Sequence, residues 1–426
     1  MKYYSLNHKS SNVSFKEAVV NGLAPDRGLY FPEEITPLSE EFIKNIGDYS
    51  NEDIAFKAIE QFVGNEIPKE VLQQIVVETI NFDFPVVQVE ENIGALELFH
   101  GPTMAFKDVG ARFMARCLGY FNRNNTNEVT VLVATSGDTG GAVANGFLGV
   151  KGVEVVILYP SGKVSDIQEK QLTTLGQNIT ALEVEGVFDD CQDMVKTAFL
   201  DEEIQRTLTS ANSINVARWL PQMFYFFFAY KQVYKKHKEV VFSVPSGNFG
   251  NICAGIMAQK LGLPIKHFVA STNVNDTVPS YLVDGVYTPK LSKETISNAM
   301  DVGNPSNFIR IQELFNQNID SLKKAFSSYS FTDDETKTAM KSIFKESKYI
   351  ADPHGAVGYL GLKKYGLQNE FGIFLETAHP VKFLDVVEDV LPVQVEIPKQ
   401  IHEVMDKEKK SIKITTYQEL KEFLNT

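Results

Sequence analysis

The stretch VVFSVPSGNFGNICAGIMAQKLG, residues 240–262, decides the fold. A short β-branched run (VVFSV) enters a glycine-rich turn (PSGNFGN), and a helix-like stretch follows at once. The same unit recurs upstream. TVLVA (130–134) runs into TSGDTGG and then AVANGFLG, while VVILY (155–159) runs into PSGKVS and a polar stretch holding Gln168 and Gln171. Residues 265–271 and 371–376 are further strand candidates that end in polar turns. Strands alternating with helices predict a mostly parallel sheet covered by helices. Ligands of such sheets lie beyond the carboxyl ends of the strands, and those ends are rich here in Gly, Ser, Thr, Asn and Asp.

The flanks read differently. The first ~90 residues mix helix-like segments such as 51–62 with turns such as PDRG (25–28), and are assigned to an N-terminal portion packed on the α/β body. The far end carries KEKK (407–410), read as a solvated charged edge, then a strand-like IKIT (412–415) and a short helix. With 426 residues the chain is long enough for two or three domains and for a large core. Hydrophobic residues at 43% and charged residues at 22% exclude the disordered and fibrous classes. A net charge of −13 argues against a general binder of nucleic acid or of anionic membrane. Any anionic ligand must then be held by a local cluster.

Cysteine usage points the same way. Cys117, Cys191 and Cys253 are widely spaced and no CxxC occurs, so neither a disulfide framework nor a metal site is expected. A reduced compartment fits. The first residues lack the apolar core of a signal peptide. The longest apolar run, MFYFFFAY (223–230), falls well short of the ~20 residues that span a bilayer. The expectation is a soluble, cytoplasmic protein.

Four segments carry chemistry. Neither GxxxxGK[ST] nor GxGxxG occurs, which disfavours a P-loop NTPase and a dinucleotide-binding Rossmann protein. In SGNFGN (246–251), Gly247 and Gly250 let the backbone approach a ligand closely, Gly247 being a candidate for positive φ. Successive N–H groups at the helix start can cradle a phosphate; an ordinary tight strand-to-helix turn is the alternative. TSGDTGG (135–141) supplies the hydroxyls of Thr135, Ser136 and Thr139 and N–H groups at a helix start, suited to a carboxylate ligand. Its Asp138 is equally a candidate N-cap.

In LFHGPTMAFKDVGARFMARC (98–117), residues 95–99 read as strand, HGPTM as turn and 105 onward as helix. Lys107 falls in the first helical turn, where the helix field and apolar neighbours Met104 and Phe106 favour the neutral amine. A neutral lysine is a nucleophile toward aldehydes; a surface lysine paired with Asp108 is the alternative. NSINVAR (212–218) places amides, a hydroxyl and the Arg218 guanidinium within seven residues, suited to a phosphate, unless Arg218 is a surface arginine.

A nucleophilic lysine, a phosphate cradle and a carboxylate loop on one α/β body are what pyridoxal-phosphate chemistry on an amino acid requires. The chain resembles the threonine synthases, a family of fold type II (tryptophan synthase β-like) pyridoxal-phosphate enzymes. The stretches that carry the resemblance are FHGPTMAFKD, ATSGDTGGAVA, YPSGKVS, NSINVARW, VPSGNFGN, ASTNVNDTVP, ISNAMDVGNPSNF, ADPHGAVGY and ETAHPVKF, with VSFKEAV and GLYFP near the start. They run from Tyr3 to about Phe383. The lysine segment and NVNDTVP are specific to this family, whereas SGNxG belongs to the wider fold type.

The resemblance implies two α/β lobes with mostly parallel sheets, a cofactor in the cleft between them, and an N-terminal α+β portion. The expected divisions are 1–90 for that portion, 91–235 for the lysine segment and the smaller lobe, 236–400 for the larger lobe with the phosphate loop, and 401–426 for a strand-and-helix tail. It further implies that Lys107 binds pyridoxal 5'-phosphate and acts as base, with Phe106 beside it. Gly247, Asn248, Phe249, Gly250 and Asn251 surround the cofactor phosphate, and the Thr377 hydroxyl meets the pyridine nitrogen. Asp138 stands near the cofactor's 3-hydroxyl, where many relatives carry Asn. An ionised Asp cannot donate, so it either accepts from that hydroxyl or points elsewhere.

Thr135, Ser136 and Thr139 fall at the substrate carboxylate. Asn212, Ser213, Asn215 and Arg218 fall at the substrate phosphate. His100, His354 and His379 lie near motif positions and are expected to be structural. The implied reaction converts O-phospho-L-homoserine and water to L-threonine and phosphate, by a monomer or homodimer acting on a small molecule. A serine/threonine dehydratase or phospholyase, and a non-catalytic relative, are the rival readings; NVNDTVP and NSINVAR count against the first, and intact Lys107, SGNFG and Thr377 against the second.

Overall fold

The computed structural model describes residues 1–124 and 128–426. At the start, β1 (Lys2–Ser5), β2 (Val13–Ser14) and β3 (Tyr30–Pro32) form a small antiparallel sheet in the order β2-β1-β3. Helices Asn51–Val63 and Lys69–Thr79 follow. Ser50 caps the first by accepting from the Asp53 N–H at 3.0 Å. The buried Tyr3 hydroxyl donates to the Phe62 carbonyl at 2.7 Å, which ties this sheet to that helix.

Along the rest of the chain come β4 (Val86–Glu90), β5 (Ile93–Glu97), β6 (Val129–Ala134), β7 (Val153–Pro160), β8 (Ile179–Val184) and β9 (Thr207–Ser210). β10 (Val240–Pro245), β11 (Ile265–Thr272), β12 (Phe326–Ser330), β13 (Phe371–Glu376) and β14 (Ile412–Ile414) complete the set. They build a six-stranded sheet, β12-β11-β10-β13-β5-β4, and a five-stranded one, β14-β8-β7-β6-β9. Every pairing in them is parallel except β4 with β5. The cause is visible in β6 and β10, whose residues are all buried. A strand covered by helices on both faces must be apolar throughout.

The apolar run 223–230 is a core element: helix Phe224–Val233 buries Phe226 against Phe242 (5.1 Å between ring centres) and Phe268 (5.7 Å). Among the described residues, no helix is long and apolar enough to cross a membrane.

The sheets do not divide where the sequence boundaries were expected. β5 lies within 91–235 yet belongs to the larger sheet, paired with β13 from Gly372↔Ile93 to Glu376↔Glu97. That strand also begins two residues earlier than 95–99, because its register is set by β13. The tail 401–426 is not a separate unit, since β14 extends the smaller sheet beside β8. KEKK is not simply solvated either. Lys409 pairs with Glu169 (2.6 Å) and Glu183 (2.9 Å), fixing the approach to β14.

What this architecture positions is a set of loops. Those after β5, β6, β10 and β13 all leave the carboxyl ends of parallel strands, where such folds bind ligands.

Candidate active site

Lys107 is the first residue of helix Lys107–Asn122. The loop before it is held by a strap from the end of β13. The Phe106 N–H donates to the Thr377 carbonyl at 2.8 Å and the His379 N–H to the Met104 carbonyl at 3.1 Å, around an isolated Ala105↔Ala378 bridge. The Tyr225 hydroxyl donates to the Phe106 carbonyl. Met104 takes a left-handed backbone (φ 59°), a strained conformation of the kind that clusters at functional sites. Asp108 is not the partner of Lys107. Its buried carboxylate accepts from the Thr103 N–H (2.9 Å) and hydroxyl (2.5 Å). Burial holds the Lys107 amine below the usual lysine value; nearby Asp138 opposes this, and Lys382 and Arg218 reinforce it.

After β6, the hydroxyls divide. The Thr135 Oγ1 is buried and accepts from the N–H groups of Gly137 (3.0 Å) and Gly140 (2.8 Å) while donating to the Gly137 carbonyl (3.1 Å). It shapes the loop and has no free direction for a ligand, contrary to expectation. Ser136 is exposed and Thr139 half-buried, so these two hydroxyls remain for a carboxylate.

Asp138 is not the N-cap, a place taken by Gly137; it opens helix Asp138–Phe147. Its carboxylate pairs with the Lys382 ammonium at 2.7 Å and accepts from Gln168 Nε2 at 3.0 Å. Burial pushes Asp138 up, but Lys382, Lys107 and these hydrogen bonds outweigh it and hold the carboxyl well below the usual range. It is therefore an acceptor, already turned toward Lys382.

Sequence reasoning missed Lys382. Its side chain is fully buried, and the available signal was a lone cation in the otherwise apolar PVKF (380–383).

After β10, Phe249 adopts the left-handed conformation (φ 61°), and helix Gly250–Lys260 starts beyond it. Gly247 has no positive φ. It is glycine because a Cβ there would stand 2.9 Å from both the Ala299 carbonyl oxygen and the Met300 Cα. Gly250 has more room, its nearest neighbours being Asn307 Nδ2 and Ser213 Cβ at 3.4 Å. Asn251 turns inward, Nδ2 donating to the Pro245 carbonyl at 2.9 Å. The backbone N–H groups of residues 247–251 have no acceptor among the described residues, which is the arrangement an anion at a helix start completes.

In NSINVAR, Asn215 is structural. It caps helix Val216–Trp219 through the Ala217 N–H (3.0 Å), and its Nδ2 donates to the carbonyls of Val19 (2.8 Å) and Ser210 (3.1 Å). No donor is left for a substrate, which removes it from the expected phosphate ligands. Asn212 and Ser213 are half-buried.

Arg218 is not a surface residue, at 2% exposure. Its guanidinium donates to the Ala211 carbonyl, Nε lacks a partner, and no carboxylate lies within ion-pair distance among the described residues. Burial brings it down to about 10.

The three histidines are engaged locally. His100 Nε2 meets Glu97 at 2.7 Å. His354 Nδ1 meets Asp352 at 2.6 Å, and its Nε2 accepts from the Ala299 N–H at 3.2 Å. His379 Nδ1 accepts from the Val381 N–H at 3.1 Å, and burial lowers that imidazole to about 4.

Residues 88–373 match the family described as pyridoxal-phosphate dependent enzyme, residues 2–80 the threonine synthase N terminus and residues 355–424 the threonine synthase C-terminal family. The chain is 46% identical to the threonine synthase of Escherichia coli over 409 residues, covering 95% of each. It is similar to the crystal structure of threonine synthase from Escherichia coli (TM-score 0.93, 44% identity) and to that of pyridoxal-phosphate-bound threonine synthase from Brucella melitensis (TM-score 0.94, 34% identity). Each alignment spans 100% of this chain and 99% of the other.

Proposed function

The chain belongs to the threonine synthase family of pyridoxal-phosphate-dependent lyases, and from that premise we propose how its own residues divide the work on O-phospho-L-homoserine. Phosphate leaves Cγ and a proton takes its place there, a Cβ proton is exchanged for the hydroxyl of water, and the proton drawn from Cα along the way is returned, so that O-phospho-L-homoserine and water give L-threonine and phosphate. Pyridoxal phosphate, when bound, supplies the sink for the electrons left on carbon. The observation that carries the reading is geometric: the helix start bearing Lys107 is strapped to the end of β13 through the Phe106–Thr377 bond, close to the buried Asp138–Lys382 pair.

The residues fit the cofactor. The unpaired N–H groups of 247–251 suit its phosphate. Lys107 and Thr377, joined through Phe106, suit its aldehyde and ring nitrogen. Asp138, held ionised by Lys382, accepts from a hydroxyl near it.

Lys107, neutral once free, takes the Cα proton. Ser136, Thr139 and the N–H groups at the start of Asp138–Phe147 hold the substrate carboxylate. Asn212, Ser213 and Arg218 hold the leaving phosphate. The three cysteines are free and buried, which supports a reducing, cytoplasmic setting, with the enzyme acting as monomer or homodimer.

Incubation with O-phosphohomoserine tests the reading. Threonine and phosphate in equal amounts are expected; 2-oxobutyrate would mark a dehydratase-like phospholyase, and no product a non-catalytic relative.

The loop assignment has its own test. Gly247→Ala forces a methyl group against the backbone of Ala299 and Met300. Overpacking of this kind costs roughly 1–3 kcal/mol. A folded protein with cofactor affinity lowered about 5- to 150-fold is expected in a titration followed by visible absorbance. Wild-type affinity would remove the loop from the cofactor site.

A further inference from the structure

Arg310 is an arginine with no measurable exposure, and the mechanism above does not use it. No carboxylate lies within ion-pair distance of it among the described residues. Its two terminal nitrogens are filled by oxygens of neutral groups, while the buried Nε has no partner. Nη1 donates to the Ser213 carbonyl (3.2 Å) and Asn307 Oδ1 (2.6 Å), and Nη2 to the carbonyls of Ile214 (2.5 Å) and Tyr30 (3.0 Å). The guanidinium carbon sits 4.6 Å from the Trp219 ring centre, and Trp219 stacks on Phe31. Burying an unpaired cation is costly, so this one calls for a compensating role.

Asn307 completes the connection. Its N–H donates to the Asn248 carbonyl (3.1 Å), inside the loop 246–251, and its Nδ2 donates to Ser213 Oγ (3.0 Å), inside the segment 212–218. Ser306 Oγ adds a bond to Asn248 Oδ1 (3.0 Å). Phe249 of the same loop packs edge-on against Phe308 (5.7 Å). One short stretch, 306–310, therefore grips both places where a phosphate is assigned.

We propose that Asn307 and Arg310 are positioning residues that lock the cofactor-phosphate loop and the substrate-phosphate segment into one unit, so that each anion finds its site already ordered by the other. The proposal rests on the assignment of those two sites given above. Arg310 fixes the carbonyls of residues 213 and 214, which sets the direction of Ser213 and of the helix carrying Arg218. Its charge also offsets the repulsion of two phosphates within a protein whose net charge is −13.

Three quantities test this on purified protein: the dissociation constant of pyridoxal phosphate, and the inhibition constants of inorganic phosphate and of L-threonine on the holoenzyme. Asn307→Ala keeps the backbone bond to Asn248 but removes the bond to Ser213 and an acceptor of Arg310, so the loop loses its tie to the other segment and the first two constants rise about fivefold or more, the lower range of typical site coupling, while that for threonine, which carries no phosphate, stays within about twofold of wild type. Arg310→Lys behaves like Arg310→Met, because a point charge cannot hold three carbonyls in a plane.

A change in only one of the two phosphate-linked constants, a parallel rise in the threonine constant, or recovery in Arg310→Lys would overturn the link. If neither Arg310 variant folds, Asn307→Ala decides alone. A wild-type holoenzyme that makes threonine but is insensitive to inorganic phosphate would remove the substrate-phosphate assignment itself, and this proposal with it. That result is distinct from intact inhibition in wild type with no change in the variants.

Discussion

Lys107→Ala abolishes turnover of O-phosphohomoserine while leaving a folded protein that still takes up pyridoxal phosphate. Losing a general base alone costs roughly 10²–10⁴-fold, and the proposal gives the same amine the anchoring of the cofactor, so a loss at or beyond the upper end of that range is expected. Two lysines lie near each other here, Lys382 buried and Lys107 half-buried, and only one is suited to the role. Lys382 is paired with Asp138 at 2.7 Å, and an ammonium has no lone pair to offer. Lys107 opens a helix, where the field disfavours positive charge, and burial lowers it further. Borohydride reduction of the wild-type holoenzyme fixes the pyridoxyl group to Lys107, read by peptide mass. A label on Lys382 would exchange the two roles.

Arg218→Ala removes most activity without removing the cofactor. The guanidinium is buried, has no carboxylate partner, leaves Nε unpaired and donates only to the Ala211 carbonyl where that of Arg310 makes four bonds, which supports the proposal that a bound phosphate balances it. Truncating one member of a buried charge pair costs ~2–5 kcal/mol, roughly 30- to several-thousand-fold in kcat/KM. Arg218→Lys recovers little, since it lacks the planar fork. The visible absorbance of the cofactor persists in both variants, and the inhibition constant of inorganic phosphate rises with the loss of kcat/KM. Cofactor loss in Arg218→Ala would move this residue to the cofactor phosphate, and unchanged kcat/KM would take it out of the site.

Much of this is legible in the amino-acid sequence alone. The strands at 130–134, 240–244, 265–271 and 371–376 each lie inside an observed strand, because an apolar run between a turn and a glycine loop has few other places in an α/β body. Lys107 stands in the first helical turn as expected. The misreadings share a physical origin. Thr135 and Asn215 carry the groups a ligand would want, yet their own loops consume those groups, and a sequence does not say which acceptor lies nearest. Lys382 and Arg310 went unnoticed for the opposite reason. Their importance lies in partners far along the chain, Asp138 for one and Ser213, Ile214 and Tyr30 for the other. The expected boundary near residue 90 failed because β5 takes its place from β13, about 280 residues later.

The smaller sheet is finished only when β14 lies along β8, more than 220 residues beyond that partner strand. Until residues 412–414 have been made, that flank of the sheet would stay open, presenting unsatisfied backbone groups to any passing strand. The strand that closes it is three residues long, with Ile412 and Lys413 exposed and only Ile414 buried. A short margin bearing a lysine is a poor template for another chain, so the completed fold trades a long, aggregation-prone edge for a brief, charged one.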